Sequence, residues 1–246
     1  MRLLLRTLKH ALSAGSLATL AFGQTGALTW REVLTHPKAA AQPNARGKSI
    51  NTLCPWNGKL YIGYGDFFDN TGPIAITSLD PTSDTLTTEW ILSTEQISTF
   101  RPLLGGLYAI SDDPKGRPLH PAAFAVGDRT GTWRNGYVDV LHTFDVATLT
   151  GTDLWVVGCN GPRRDTPNTA YAVAWRSLDG GSTWQQSLRI MGKESGNDDN
   201  VRFYFAGVLK GKLYVQFCQD AFSQVFDGAR WSKGPGISLC HHLRCK

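Results

Sequence analysis

The chain has 246 residues, 41% of them hydrophobic and 18% charged, which is the composition of a globular protein with a sizeable core and excludes a disordered chain. Its net charge of +5 is modest, and part of the excess sits in the first 48 residues, where Arg2, Arg6, Lys9, Arg31, Lys38, Arg46 and Lys48 are set against Glu32 alone. No basic run interleaved with aromatics follows, so nucleic acid is not an expected partner, and no apolar stretch reaches the ~18 residues of a membrane-spanning helix.

Residues 1–26 read as an arm with two alternatives. Arg2, Arg6 and Lys9 precede a mildly apolar run, Ala11 to Phe22, and Ala21-Phe22-Gly23 offers small residues for cleavage, the pattern of a secretory signal. Alternatively, Leu4, Leu5, Leu8, Ala11 and Leu12 line one face of an amphipathic helix. Residues 27–47 read as an outer strand, Thr29 to Leu34, and a linker, Ala39 to Arg46. The strand phrase Thr29-Trp30-Arg31-Glu32 is similar to Thr183-Trp184-Gln185-Gln186, so it is expected to complete a blade from the far end of the chain.

From residue 48 the chain repeats itself. Ser49 to Trp56 reads as a strand, Asn57-Gly58 as a tight hairpin turn and Lys59 to Tyr64 as a second strand. A polar loop, Asp66 to Gly72, leads to a third strand, Pro73 to Leu79, and after the turn at Asp80 a fourth, Leu86 to Leu92. The second unit is expected at 98–104, 107–111, 122–126 and 137–140. The third is expected at 143–149, 154–158, 170–176 and 184–190, and the fourth at 201–208, 213–217, 223–226 and 231–239. Two phrases keep the period. Leu60-Tyr61, Leu107-Tyr108, Leu154-Trp155 and Leu213-Tyr214 each follow a Gly-containing turn, and Asp80, Asp128, Asp179 and Asp227 each close an apolar run. Four antiparallel strands in about 45 residues, recurring, is the pattern of a β-propeller blade. The expected fold is all-β: a propeller of four four-stranded blades over residues 48–246, with five blades as the alternative, preceded by a helical or extended arm.

One turn carries a recognisable motif. Ser177-Leu178-Asp179-Gly180-Gly181-Ser182-Thr183-Trp184 matches the Asp-box, Ser-x-Asp-x-Gly-x-Thr-Trp, with weaker copies at Asp128 to Trp133, Asp227 to Trp231 and Ser78 to Asp80. In it an Asp carboxylate accepts backbone N–H groups across the turn, Gly supplies positive φ and Trp packs beneath. Ser177, Asp179, Gly181, Thr183 and Trp184 are therefore read as structural. The motif resembles the repeats of bacterial neuraminidases, and the resemblance implies a propeller, not an activity. A sialidase would need an arginine triad and an Arg-Ile-Pro start, of which Phe100-Arg101-Pro102 is a faint echo. Longer phrases, among them Gly58-Lys59-Leu60-Tyr61-Ile62-Gly63-Tyr64-Gly65-Asp66 and Arg202-Phe203-Tyr204-Phe205-Ala206-Gly207, resemble uncharacterised propeller proteins of actinobacteria and their phages. That resemblance implies a phage virion (tail) component or a surface-exposed protein, with other virion or cell-surface proteins as partners.

The candidate ligand face is made by the polar loops that follow each second strand. They hold Asp66 and Asp69; Asp112, Asp113 and Arg117; Asn160, Arg163 and Arg164; and Asp220. One reading is a ring of side chains around the axis for a polar ligand or glycan. The other is that each acid or amide ends its strand by bonding to nearby backbone. Asp66 with Asp112 or Asp220 would be the carboxylate pair of a glycoside hydrolase, the alternative to a non-catalytic binding or structural module. His142 reads as a core or channel histidine on an inner strand. Cys159 and Cys218 read as buried thiols. Cys240 and Cys245 flank His241-His242, too tight a cluster to surround a tetrahedral ion, so no metal is expected. No phosphate-binding Gly loop is present, and no cofactor is expected. The expected setting is a virion or the extracellular space, and a homo-oligomer is an open option.

Overall fold

The computed structural model describes residues 32–66, 72–111, 122–160, 170–192, 201–217 and 223–235. The chain divides into two units, 1–35 and 36–246. In the first, residues 32–35 carry no regular secondary structure, and Thr35 Oγ1 donates to Glu32 at 2.9 Å. The remainder of the proposed outer strand, Thr29 to Arg31, lies outside the described residues. The second unit opens with a single helical turn, α1 (Pro37–Ala40), which runs into the start of the stretch read from sequence as a linker, Ala39 to Arg46.

The rest is sixteen strands in four antiparallel sheets, each sheet ordered as its strands occur in the chain. Blade 1 holds β1 (Ile50–Trp56), β2 (Lys59–Tyr64), β3 (Ile74–Asp80) and β4 (Thr85–Leu92). Blade 2 holds β5 (Ile97–Leu103), β6 (Gly106–Ser111), β7 (Ala122–Gly127) and β8 (Trp133–Val138). Blade 3 holds β9 (His142–Ala147), β10 (Leu154–Asn160), β11 (Tyr171–Ser177) and β12 (Gln185–Met191). Blade 4 holds β13 (Phe203–Leu209), β14 (Lys212–Phe217), β15 (Ser223–Phe226) and β16 (Trp231–Lys233). This is a four-bladed β-propeller, the first of the two blade counts that the repeat allowed.

The hairpins between first and second strands follow from local chemistry. Asn57 and Gly58 have φ of 50° and 77°, Leu104 and Gly105 51° and 76°, and Lys210 and Gly211 50° and 71°. Two successive positive φ values make the type I′ turn, whose twist matches that of the strands. Blade 3 uses a longer turn, organised by Asp153. That side chain is fully buried and accepts from the Leu149 and Thr150 backbone N–H groups, both at 2.9 Å, from Trp155 Nε1 at 2.7 Å and from Arg176 Nη2 at 3.1 Å.

Alternation along each sheet then builds the core. In β6, Leu107 and Ala109 face blade 1 while Tyr108 and Ile110 face blade 3. In β10, Leu154 and Val156 face blade 2 while Trp155 and Val157 face blade 4. The buried apolar side chains therefore form three clusters, one per blade–blade interface, rather than one central core. The first strands lie side by side, β1 against β5, β5 against β9 and β9 against β13, and so mark the inner edge of the propeller. Among the described residues, blades 4 and 1 share no interface of that extent.

The segment before β1 lies on blade 1. His36 is buried, its Nδ1 accepts the Ala39 N–H at 3.0 Å, its Nε2 lies 2.8 Å from Thr77 Oγ1, and its ring sits 4.9 Å from that of Tyr64. Because Nδ1 accepts, the proton is on Nε2, which donates to Thr77; Thr77 Oγ1 in turn donates to the Ile62 carbonyl at 3.3 Å. Burial holds the His36 pKa below its usual value, and Lys38 adds to this.

Candidate functional site on the inner strands

Strand direction separates two ends of the propeller. The β1–β2 type of hairpin and the turns between third and fourth strands share one end, where Asn57 Nδ2 donates to the Arg129 carbonyl at 3.1 Å across blades 1 and 2. The polar loops that follow second strands leave from the other end.

The turn end is held by carboxylates. Asp179 Oδ1 accepts from the N–H of Ser182 at 3.1 Å and of Thr183 at 2.8 Å, while Oδ2 accepts from Thr183 Oγ1 at 2.6 Å. Gly180 and Gly181 take φ of 70° and 91°, and Trp184 packs edge-on to Phe124 at 6.1 Å, against the cluster between blades 2 and 3. Ser177 Oγ donates to Asp179 at 2.8 Å and accepts the Gly181 N–H, also at 2.8 Å. The bonds from Thr183, then Ser177, draw the Asp179 pKa down to about 2. Asp80, Asp128 and Asp227 occupy the same place and likewise accept from residues two to four ahead, so each is held ionised below the usual carboxylate range. In each turn the carboxylate is thus engaged by its own turn's backbone and hydroxyl groups.

The inner edge carries different chemistry. From β9, the Phe144 ring lies 4.5 Å from Tyr204 of β13 at 34°, and His142 stacks on Phe144 at 5.8 Å. Arg202, just before β13, holds its guanidinium 5.9 Å from the Phe144 centroid and donates to Tyr204 Oη at 3.4 Å. It makes no ion pair among the described residues. One strand pair away, Arg101 of β5 clasps Asp145 of β9, Nε to Oδ1 at 2.7 Å and Nη2 to Oδ2 at 2.8 Å. Asp145 also accepts the Val146 N–H at 2.9 Å and, from blade 4, the Ala206 N–H at 3.0 Å. One buried carboxylate thus ties the inner strands of blades 2, 3 and 4. The bonds to Asp145 raise the Arg101 pKa. Burial, aided by Arg202, presses His142 down to about 3, so its ring is neutral at physiological pH and is the core or channel histidine expected.

Two of the sequence candidates on the loop face fall among the described residues. Asp66 follows β2, is 2% exposed, and its N–H donates to the Glu95 carbonyl at 3.0 Å. Asn160 ends β10 with its Nδ2 donating to Tyr171 Oη. Asp69, Asp112, Asp113, Arg117, Arg163, Arg164 and Asp220 lie outside the described residues, as do Cys218, Cys240 and Cys245. Cys159 is a buried thiol whose pKa burial raises to about 12, and Cys54 is a second buried thiol. Sequence reasoning passed over Arg202, Phe144, Tyr204 and Asp145. Asp145 had a signal, a lone acid inside the apolar strand His142 to Ala147. The other three are ordinary strand residues until β9 and β13 become neighbours.

No family model matches the chain, and no curated protein does. Among solved structures, one similar chain is described as "YCF48 bound to D1 peptide", with 15% identity, 67% of this chain covered and a TM-score of 0.29. The match spans 59% of that chain's length, less than two thirds. A likeness this loose carries no functional argument; the architecture rests on the four sheets themselves.

Proposed function

We propose that this chain is a non-catalytic binding module that presents its loop end and inner strands to a receptor or glycan, as a phage virion (tail) component or a surface-exposed protein. The propeller fold suits a binding or structural module, and the setting is suggested by the resemblance of the sequence phrases above to phage and actinobacterial propellers. The observation that carries the ligand reading is the Arg202 guanidinium, which makes no ion pair among the described residues, beside the Phe144–Tyr204 ring pair. Rings offer an apolar face and Arg a forked donor, the combination that orients a polar ligand on a rigid scaffold. Asp145 is the described inner-strand carboxylate, and its oxygens are taken up by Arg101 and two backbone N–H groups, which favours binding over hydrolysis.

The test is a glycan array and a pull-down of surface components with the full chain, repeated with Arg202→Ala. Binding that falls at least tenfold in the variant, with unchanged melting temperature, supports the proposal. Turnover of glycoside substrates by the wild-type protein would overturn it.

A further inference from the structure

The repeat makes it possible to ask what each blade face is built to meet. The position occupied by Leu53 in blade 1 recurs as Phe100, Val146 and Ala206, paired across the ladder with Ala109, Val156 and Val215 as Leu53 is with Ile62. Those three are 6%, 1% and 3% exposed, each packed on the preceding blade. Leu53 is 57% exposed. Leu60 shows the same contrast: Leu107, Leu154 and Leu213 are fully buried against the preceding blade, and Leu60 is half-buried.

Blade 4 carries the complementary half. Tyr214 recurs as Tyr61, Tyr108 and Trp155, all buried against the following blade, yet Tyr214 is half-buried. Leu209 recurs as Trp56 and Leu103, which pack on the following blade, yet Leu209 is 59% exposed. Among the described residues, blade 1 therefore has a preceding-blade face on which no preceding blade packs, and blade 4 a following-blade face on which no following one packs. His36 covers the loop end of the blade 1 face, against Tyr64 and Thr77, and Ile62, which pairs with Thr77, is buried there. At the turn end Leu79, the partner of Leu60, is buried, whereas Leu53 is exposed and Leu60 half-buried, and Leu60 borders a hollow of 450 Å³ lined also by Trp56, Asn57, Lys59 and Pro81.

We propose that these two faces join two copies of this chain, blade 4 of each packing on blade 1 of the other. The argument is continuity: the contact repeats the blade–blade interface already made three times within the chain, with the same repeat positions meeting. A two-fold pair closes upon itself and buries both faces of both copies.

The experiment is native mass spectrometry and sedimentation of the full chain, of Leu53→Asp and of Leu209→Asp, with circular dichroism to confirm folding. The wild type is expected to be a dimer and each variant a monomer. An equimolar mixture of the two variants is expected to recover dimer. In the mixed pair the unaltered blade 4 of the Leu53→Asp chain meets the unaltered blade 1 of the Leu209→Asp chain. A wild-type monomer at the highest soluble concentration overturns the proposal and means that the chain's own segments cover the faces. Dimers that survive both substitutions, or folded variants that fail to complement, overturn it too.

Discussion

At the scale of single residues, the carboxylates of this protein divide by what they hold. Asp153 is buried at the centre of a turn and binds backbone, an indole and a guanidinium at once. Removing it orphans Trp155 Nε1 and leaves Arg176 without its counter-charge, so Asp153→Ala is expected to cost about 3 kcal/mol in urea unfolding. Its titration makes a second prediction. Burial opposes ionisation, but the bonds from Thr150 and Trp155 prevail and bring the pKa to about 2, below the usual carboxylate range. A folded pKa below the unfolded one stabilises above the unfolded value and is lost as pH falls through the folded one. Wild-type stability should therefore drop between about pH 4 and pH 2, and Asp153→Asn should flatten that part of the profile. The role of Asp153 was only half legible. Its place in a Gly-containing turn is evident in the sequence, but its bonds to Trp155 and Arg176 exist only once β10 pairs with β11. Arg202 and Tyr204 were illegible for the same reason, since their chemistry depends on β9 lying beside β13.

At the scale of the element, the strands were read well wherever a turn residue fixed both ends. The Asn57-Gly58 hairpin left β1 and β2 within a residue or so of their expected limits. The fourth strand of blade 2 was placed at 137–140 but runs from Trp133 to Val138. The reason is steric and not visible in a linear pattern. Trp133 pairs with Gly127, and a Cβ there would lie 2.5 Å from the indole, so the glycine is what lets the strand begin so early. Glycines in β10 and in the first hairpin give a contrasting pair of outcomes. A Cβ on Gly158 would sit 1.9 Å from the His142 carbonyl oxygen, a backbone atom that cannot swing aside. Gly158→Ala should force β9 from β10 and cost at least about 2 kcal/mol. Gly58 has open space around it and φ of +77°, so Gly58→Ala meets only backbone strain, about 1 kcal/mol. Thermal melts of the two variants would check the order; equal losses would mean that the β9–β10 approach is looser than described.

At the scale of the whole molecule, the fold was the most legible level because a period is redundant: four copies of one phrase outvote any ambiguous strand. What the period does not encode is whether the last blade meets the first. Leu60 carries the same letter as Leu107, Leu154 and Leu213, and nothing in the letters marks it as half-exposed. Energetics should separate them. Leu154 is completely buried between blades 2 and 3, so Leu154→Ala removes its contacts and leaves a cavity, at about 3 kcal/mol. Leu60 already keeps part of its surface in water, so Leu60→Ala should cost about 1 kcal/mol. Urea unfolding at protein concentrations low enough to keep copies apart isolates this intramolecular difference from any association. Equal losses at the two positions would mean that blades 4 and 1 close on each other within a single chain, and the propeller would then be sealed at four interfaces rather than three.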